Sequence, residues 1–279
     1  MGKTNFQLPY FDALLEHFRE GNAEIVQAFG RHVHWGYWEN PSSSDGSVAD
    51  FAIAAEALCR RVCDAGGVRD GLAILDCGCG FGGTVASLNE RFSNVKLVGL
   101  NIDPRQLDRA REQVQPRKDN NIEFIEGDAC ELPFEDASFD VVLAVECIFH
   151  FPSRKQFFQE ARRVLKPGGK LAICDFVPQQ WIVLFLKLAD IFVKPVVTRT
   201  YGYVEGNFSL LNYRNLAKNT GFVPILSEDI TLNTLPTYPV LLRLIRQGEA
   251  AEEETINRLG GWVSRLGLIR YMILSFEAR

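Results

Sequence analysis

The segment ILDCGCGFGG, residues 74–83, decides how the rest of the chain is read. A short apolar run, LAILD at 72–76, leads into glycines at 78, 80, 82 and 83, and the helical pattern TVASLNERF follows directly. Glycine is needed between a strand and a helix where the backbone must turn sharply and pass close to a ligand. Two patterns fit the same residues. Gly78, Gly80 and Gly83 satisfy G-x-G-x-x-G, whereas Asp76, Gly78, Gly80 and Gly82 spell D-x-G-x-G-x-G. The glycines alone do not choose between them.

Outward from this loop the chain alternates. VKLVGL (95–100), IEFIEGD (122–128), FDVVLAV (139–145) and KLAICDF (170–176) read as strands, with helical PRQLDRAREQV and SRKQFFQEARRVL between them. Pro104 opens its helix at the favoured first-turn position, and KPGGK ends the other. Such alternation predicts an α/β fold with a parallel sheet covered by helices on both faces. Upstream, residues 10–30 and 48–64 carry helical periodicity, separated by the aromatic and then polar HVHWGYWENPSSSDG. After Phe176 the alternation stops: residues 177–220 read as helical and irregular. FVPILSEDI and IRYMILSFE then resemble two more strands, flanking helical LLRLIRQGEAAEEETINRLG. The expected organisation is an N-terminal helical lid with the first core helix (1–66), a core (67–176), a helical cap (177–220) and a segment completing the sheet (221–279).

Composition narrows the function. With 279 residues, 47% of them hydrophobic, the chain can bury a full core. A net charge of −5 without any lysine- or arginine-rich block argues against nucleic acid as a partner. The first twenty residues show neither an apolar signal core nor transit-peptide character, so a cytoplasmic protein is expected. The most apolar stretch, WIVLFLKLADIFVKPVV (181–197), is interrupted by Lys187, Asp190, Lys194 and Pro195, which opposes stable membrane insertion. Apolar nearly all round for two turns, it reads as a buried cap helix. The seven cysteines are odd in number and irregularly spaced, as expected of reduced thiols, and Cys77 and Cys79 lack zinc-knuckle spacing, so no metal is expected. Both a monomer and a homodimer are compatible with these features.

Between residues 70 and 176, four segments in order resemble class I S-adenosylmethionine-dependent methyltransferases: LDCGCGFGG, VGLNIDPRQLDRAR, EGDACELPFEDASFDVV and RVLKPGGKLAICDF. The resemblance is greatest to the small-molecule branch that includes tocopherol-type and natural-product sugar O-methyltransferases. It implies a Rossmann-like, seven-stranded, mostly parallel sheet with an antiparallel last strand, S-adenosyl-L-methionine as cofactor and S-adenosyl-L-homocysteine as product. By resemblance, Asp76 orders the loop, while Gly78, Cys79, Gly80 and Gly82 pass beneath the methionine part. Asn101, followed by Ile102 and helped by Gln106, stands where the family carries an acid for the ribose hydroxyls. Asp128 and Ala129 match the adenine-reading pair, and Val145 flanks the cofactor.

Residues 146–154, ECIFHFPSR, match the E-x-x-x-H-x-P-x-R of sugar O-methyltransferases through Glu146, His150, Pro152 and Arg154. The resemblance implies that His150, with Asp175 at the end of the fifth strand, deprotonates or orients a substrate hydroxyl. Methyl transfer is an in-line displacement in which alignment dominates, and a histidine with a pKa of about 6.5 accepts a proton near neutrality. A histidine between Phe149 and Phe151 is otherwise an ordinary packed residue. His34, Trp35, Tyr37, Trp38 and Glu146 are expected to wall the pocket of a small, rather hydrophobic acceptor. O-methylation leads, ahead of N- and C-methylation. A NAD-dependent oxidoreductase and a non-catalytic cofactor-binding protein are the alternatives from other classes.

Overall fold

A computed structural model describes residues 8–117, 119–246 and 251–279, with backbone alone at 189–193, 245–246 and 251–253. Among these residues seven strands form one sheet: β1 (Ala73–Cys77), β2 (Lys96–Asn101), β3 (Asn121–Glu126), β4 (Phe139–Val145), β5 (Leu165–Pro178), β6 (Phe222–Asp229) and β7 (Ile269–Ala278). Their order is β3-β2-β1-β4-β5-β7-β6. The first five pair in parallel, and β7 lies antiparallel between β5 and β6. The strand order reverses between β1 and β4, so their carboxyl ends open a crevice at the switch point, where open α/β sheets bind ligands.

The core helices are α3 (Val48–Ala65), α4 (Gly83–Arg91), α5 (Pro104–Gln113), α6 (Arg154–Val164) and α8 (Leu210–Asn219). Around them lie α1 (Pro9–Arg19), α2 (Ala23–Phe29), α7 (Val183–Tyr201), the single turn α9 (Thr231–Thr234), α10 (Thr237–Arg246) and α11 (Ala251–Arg265). Local chemistry sets the helix starts. Ser47 and Ser153 accept from the backbone amides of Asp50 and Gln156 to cap α3 and α6, and Asp103 accepts from the Arg105 amide to cap α5. Two apolar clusters cover the sheet. One holds Phe157 and Phe158 of α6 with Tyr213 of α8, the other Leu58 and Val62 of α3 with Leu88 of α4.

Three features differ from the sequence reading. The helical span 10–30 is two helices, because Gly21 takes φ 71° and Asn22 caps the second. KPGG does not stand apart from the strand that follows it; it is absorbed into β5 as a bulge, with the register against β4 shifting between Phe139 and Val141. The apolar cap helix is not buried all round: Trp181, just before α7, and Leu184, Phe185 and Leu188 on it are each more than half exposed. No helix among the described residues is long and apolar enough to cross a membrane.

Candidate functional site

The glycine loop closes the carboxyl end of β1. Gly78 (φ 74°) and Gly82 (φ 80°) occupy left-handed backbone, and a Cβ on Gly78 would stand 2.8 Å from the Cys147 sulfur. Any larger residue there would push the loop off the β4 end. Above the loop is a cleft of about 80 Å³ lined by Gly78, Cys79, Gly80, Asn101, Gln106 and Val145, among others. Asn101 donates to Gln106 at 2.8 Å and accepts from the Ile102 amide at 2.9 Å, so the amide pair is oriented before any ligand arrives. Asp76 is buried at the end of β1, and its Oδ2 has no hydrogen-bond partner. Burial holds its carboxyl well above the usual range.

Helix α1 lies across this cleft. Phe11 packs edge-on against Phe81 at 5.5 Å, and Asp12 pairs with Arg105 at 2.8 Å. The Tyr10 hydroxyl reaches His150 Nε2 at 3.2 Å. The cleft is smaller than the roughly 300–1,000 Å³ of a pocket for a drug-sized ligand, and Leu8, Tyr10 and Phe11 at the start of α1 cover it.

A second and larger cavity, about 530 Å³, adjoins the first and shares Tyr10, Val33, His34, Glu146 and His150 with it. Its walls are predominantly apolar: Trp35, Phe149, Phe176, Tyr238 and the inner faces of α7, α10 and α11. Trp35 packs edge-on against Tyr238 at 4.4 Å and Phe176 at 5.0 Å, which fixes the floor.

The segment after β4 supplies the polar groups at the shared wall. Glu146 has φ 51°, a left-handed conformation that costs a non-glycine residue of order 1–3 kcal/mol. That kink places its carboxyl group beneath the Trp35 amide (2.9 Å) and the Tyr271 hydroxyl, both of which donate to Oε2. Burial outweighs these donors and pushes its pKa up to about 8, so Glu146 is a neutral acid at neutral pH. His150 closes a short 3₁₀ turn, Ile148–His150, and is buried. Its Nδ1 lies 2.7 Å from the Tyr203 carbonyl, which can only accept. The ring is therefore the Nδ1–H tautomer, with Nε2 left as an acceptor toward the cavities. Burial lowers its pKa to about 4.

Asp175 does not serve His150 as the sequence implied. It accepts from Arg154 at 2.9 Å, from the Tyr213 hydroxyl and from the Phe176 amide at 2.8 Å. None of its hydrogen bonds among the described residues goes to His150. Arg154, itself buried, extends to the Glu205 carboxylate and, at 2.9 Å, to the Glu205 carbonyl, and the Glu205 amide donates to the Phe149 carbonyl at 2.8 Å. Asp175 thus anchors the arginine that ties down residues 203–205, whose Tyr203 carbonyl orients the His150 ring.

The expected acceptor-pocket residues divide. His34, Trp35 and Glu146 line the large cavity. Tyr37 and Trp38 do not: Arg61 stacks over the Tyr37 ring at 4.6 Å, and the Trp38 indole donates to Asp50 at 2.8 Å inside a separate apolar cluster. A Cβ on Gly36 would meet the Trp38 ring at 2.7 Å, so the glycine leaves the space into which that ring folds back. Of the expected cofactor residues, Asp76, Gly82, Ile102, Asp128 and Ala129 stand outside the cleft lining; Asp128 accepts from the Cys130 amide at 2.8 Å. Sequence reasoning missed Tyr10, Tyr203 and Tyr238. Tyr203 acts through its carbonyl, which no side-chain pattern can reveal.

Comparison with known proteins identifies the family. Residues 75–173 match the family model of a methyltransferase domain. The chain is 31% identical over 248 residues to methyltransferase GfsG of Streptomyces halstedii, covering 87% of this chain and 85% of that protein. It is 33% identical to the 27-O-demethylrifamycin SV methyltransferase of Amycolatopsis mediterranei, covering 91% and 88%. A geranyl diphosphate C-methyltransferase of Streptomyces coelicolor A3(2), solved with S-adenosyl-L-homocysteine, has the same fold (TM-score 0.68, 19% identity, 99% and 100% covered). The chain belongs to the class I S-adenosylmethionine-dependent methyltransferases that act on small molecules. Its cofactor is S-adenosyl-L-methionine, and the residues present fit it: a glycine cradle, an oriented amide pair and an unpartnered buried carboxyl oxygen below the loop.

Proposed function

We propose that the protein methylates a hydroxyl of a lipophilic small molecule, an alcohol or phenol of natural-product type, with His150 holding the nucleophile. The observation that carries this reading is the fixed tautomer of His150. Its Nδ1–H is committed to Tyr203, and its Nε2 is an acceptor on the wall shared by cleft and cavity. The bound cofactor supplies an electrophilic methyl on a sulfonium. His150 accepts a hydrogen bond from the hydroxyl and so points an oxygen lone pair at that methyl, since alignment supplies most of the rate. The Tyr10 phenol already satisfies that bond, which supports a hydroxyl as the natural partner of Nε2.

With a pKa near 4, His150 orients the nucleophile and does not keep its proton: as the oxygen–methyl bond forms and the methyl–sulfur bond breaks, the hydroxyl proton passes to Nε2 and on to solvent. Neutral Glu146, at the same wall, is available as a donor to a second acceptor oxygen. Asp128 and Ala129 flank the adenine once α1 has lifted, in this reading, and within residues 1–66 helices α1 and α2 act as the lid while α3 is the first core helix. Similarity to the 27-O-demethylrifamycin SV methyltransferase supports an oxygen acceptor. The test is incubation with methyl-labelled S-adenosyl-L-methionine and matched apolar alcohols, phenols and amines. Label in a methoxy group is expected; label found only on nitrogen would overturn the reading.

A further inference from the structure

Among the described residues that line the large cavity there is no lysine, arginine or aspartate. Most polar side chains there are already paired. The Tyr238 hydroxyl lies 2.9 Å from the Ser264 hydroxyl, Asn257 donates to the Tyr201 hydroxyl at 3.0 Å, and His17 stands 3.4 Å from Glu20. His34 gives its Nδ1–H to the Trp35 carbonyl at 2.9 Å, and its Nε2 meets His32 Nδ1 at 3.2 Å. Glu146 differs from these. Its Oε2 takes two donors, the Trp35 amide and the Tyr271 hydroxyl, while Oε1 has no partner among the described residues and is not sealed off. Glu146 lines cleft and cavity alike, held there by left-handed backbone. Such strain persists where the surrounding structure over-determines it, as it does around a ligand clamp.

With Oε2 occupied by two donors, the proton of the neutral acid belongs on Oε1, open to a ligand. The titratable groups around it are Tyr10 of α1, the adjacent Cys147, Cys174 and Asp175 of β5, Tyr238 of α10 and Tyr271 of β7, with His34 and His150 on the same walls. Burial raises the phenols and thiols above their ordinary range and lowers both imidazoles, and Arg154 takes up Asp175. Glu146 is thus the group that gains a charge near pH 8. A donor of this kind calls for an oxygen that only accepts. A second hydroxyl would bring a proton that these paired walls do not take up, and an ammonium or carboxylate would be buried without a counter-charge. We infer that Glu146 recognises a carbonyl oxygen of the acceptor, separate from the reacting hydroxyl, by donating the Oε1 proton to it. The acceptor class is then an uncharged hydroxy-ketone, hydroxy-ester or hydroxy-lactone. That class rests on the proposed reading, in which the cavity holds the acceptor; the donor property of Glu146 does not.

The test is titration of the full chain with fluorenone and with fluorene, flat molecules of one skeleton that differ by a carbonyl, together with the infrared carbonyl band of bound fluorenone. Well below pH 8 the wild type is expected to bind fluorenone about tenfold or more tighter than fluorene, with the carbonyl band moved to lower frequency. Well above pH 8 the preference and the band shift are both expected to vanish, because a carboxylate has no proton to donate. Glu146→Leu should lack both at any pH. Glu146→Gln, whose amide still donates, should keep both on either side of pH 8. Each variant is first shown to keep its melting shift with S-adenosyl-L-homocysteine, and the pH comparison on the wild type needs no variant. Equal affinity for the two probes in the wild type below pH 8 would overturn the inference, as would a preference that survives in Glu146→Leu. Neither probe carries a hydroxyl, so binding is read without methyl transfer and fails separately from the methyltransferase reading.

Discussion

His150 and Glu146 stand four positions apart on one loop and are driven to the same charge state by the same force. Burial favours the neutral form of each, lowering the imidazole to about 4 and raising the carboxyl to about 8. Between those values the shared wall presents one acceptor nitrogen and one acid proton, with no net charge. As pH climbs through about 8 the Glu146 proton is lost, and turnover is expected to fall with it. In Glu146→Gln the amide stays neutral and still accepts from Trp35 and Tyr271, so a pH–rate profile should show near-normal turnover at neutral pH and no alkaline limb near 8. Stability follows the same sign. The native carboxyl keeps a proton that the unfolded chain releases above about 4.5, so burial of Glu146 destabilises the protein progressively from there to about 8. A limb that survives in the glutamine variant would remove Glu146 from the chemistry. The identities of both residues were legible in ECIFHFPSR; their protonation was not, because burial comes from α1, β7 and the segment after α7, all remote in sequence.

At the level of elements, the orientation of His150 depends on a chain of contacts that ends in the core. Asp175 on β5 holds Arg154 at the start of α6, Arg154 holds Glu205, and the neighbouring Tyr203 carbonyl fixes the ring. Removing one partner of a buried ion pair typically costs about 3–5 kcal/mol, an upper figure here because the Glu205 carboxylate still balances Arg154. Asp175→Ala is therefore expected to melt lower by that order in thermal unfolding and to lose turnover through a misplaced histidine, while Asp175→Asn, which still accepts from Tyr213, loses less of both. Equal stability of Asp175→Ala and wild type would refute the anchoring role. From the sequence, resemblance to the sugar O-methyltransferases sets Asp175, at the end of β5, beside His150 over a substrate hydroxyl. Neighbouring strands β4 and β5 bring them near, but the buried Arg154, the Tyr213 hydroxyl and the Phe176 amide take up the carboxylate. The same limit explains helices α1 and α2. Their periodicity was plain, but that Tyr10 lands on His150 depends on how the lid folds back across the sheet.

For the whole molecule, the strand-and-helix alternation from LAILD to KLAICDF carried nearly all of the sheet, because a parallel sheet buried on both faces writes itself as continuous apolar runs. The two-cavity plan was not written there. It arises where the lid, the segment after β4, and helices α7, α10 and α11 converge, and each contributes a few side chains whose spacing is ordinary when taken alone. In the proposed reading the architecture separates two jobs: the glycine loop with Asn101 and Gln106, which line the cleft, serves the cofactor, and His150, on the wall shared with the large cavity, serves the acceptor. Everything proposed for the chemistry depends on that separation, and His150→Gln probes it through turnover and S-adenosyl-L-homocysteine affinity measured on the same preparation. Turnover is expected to fall by about a hundredfold or more with affinity for the cofactor product essentially unchanged. Wild-type turnover in His150→Gln, or a loss explained by weaker binding of the homocysteine product, would contradict the division of the site.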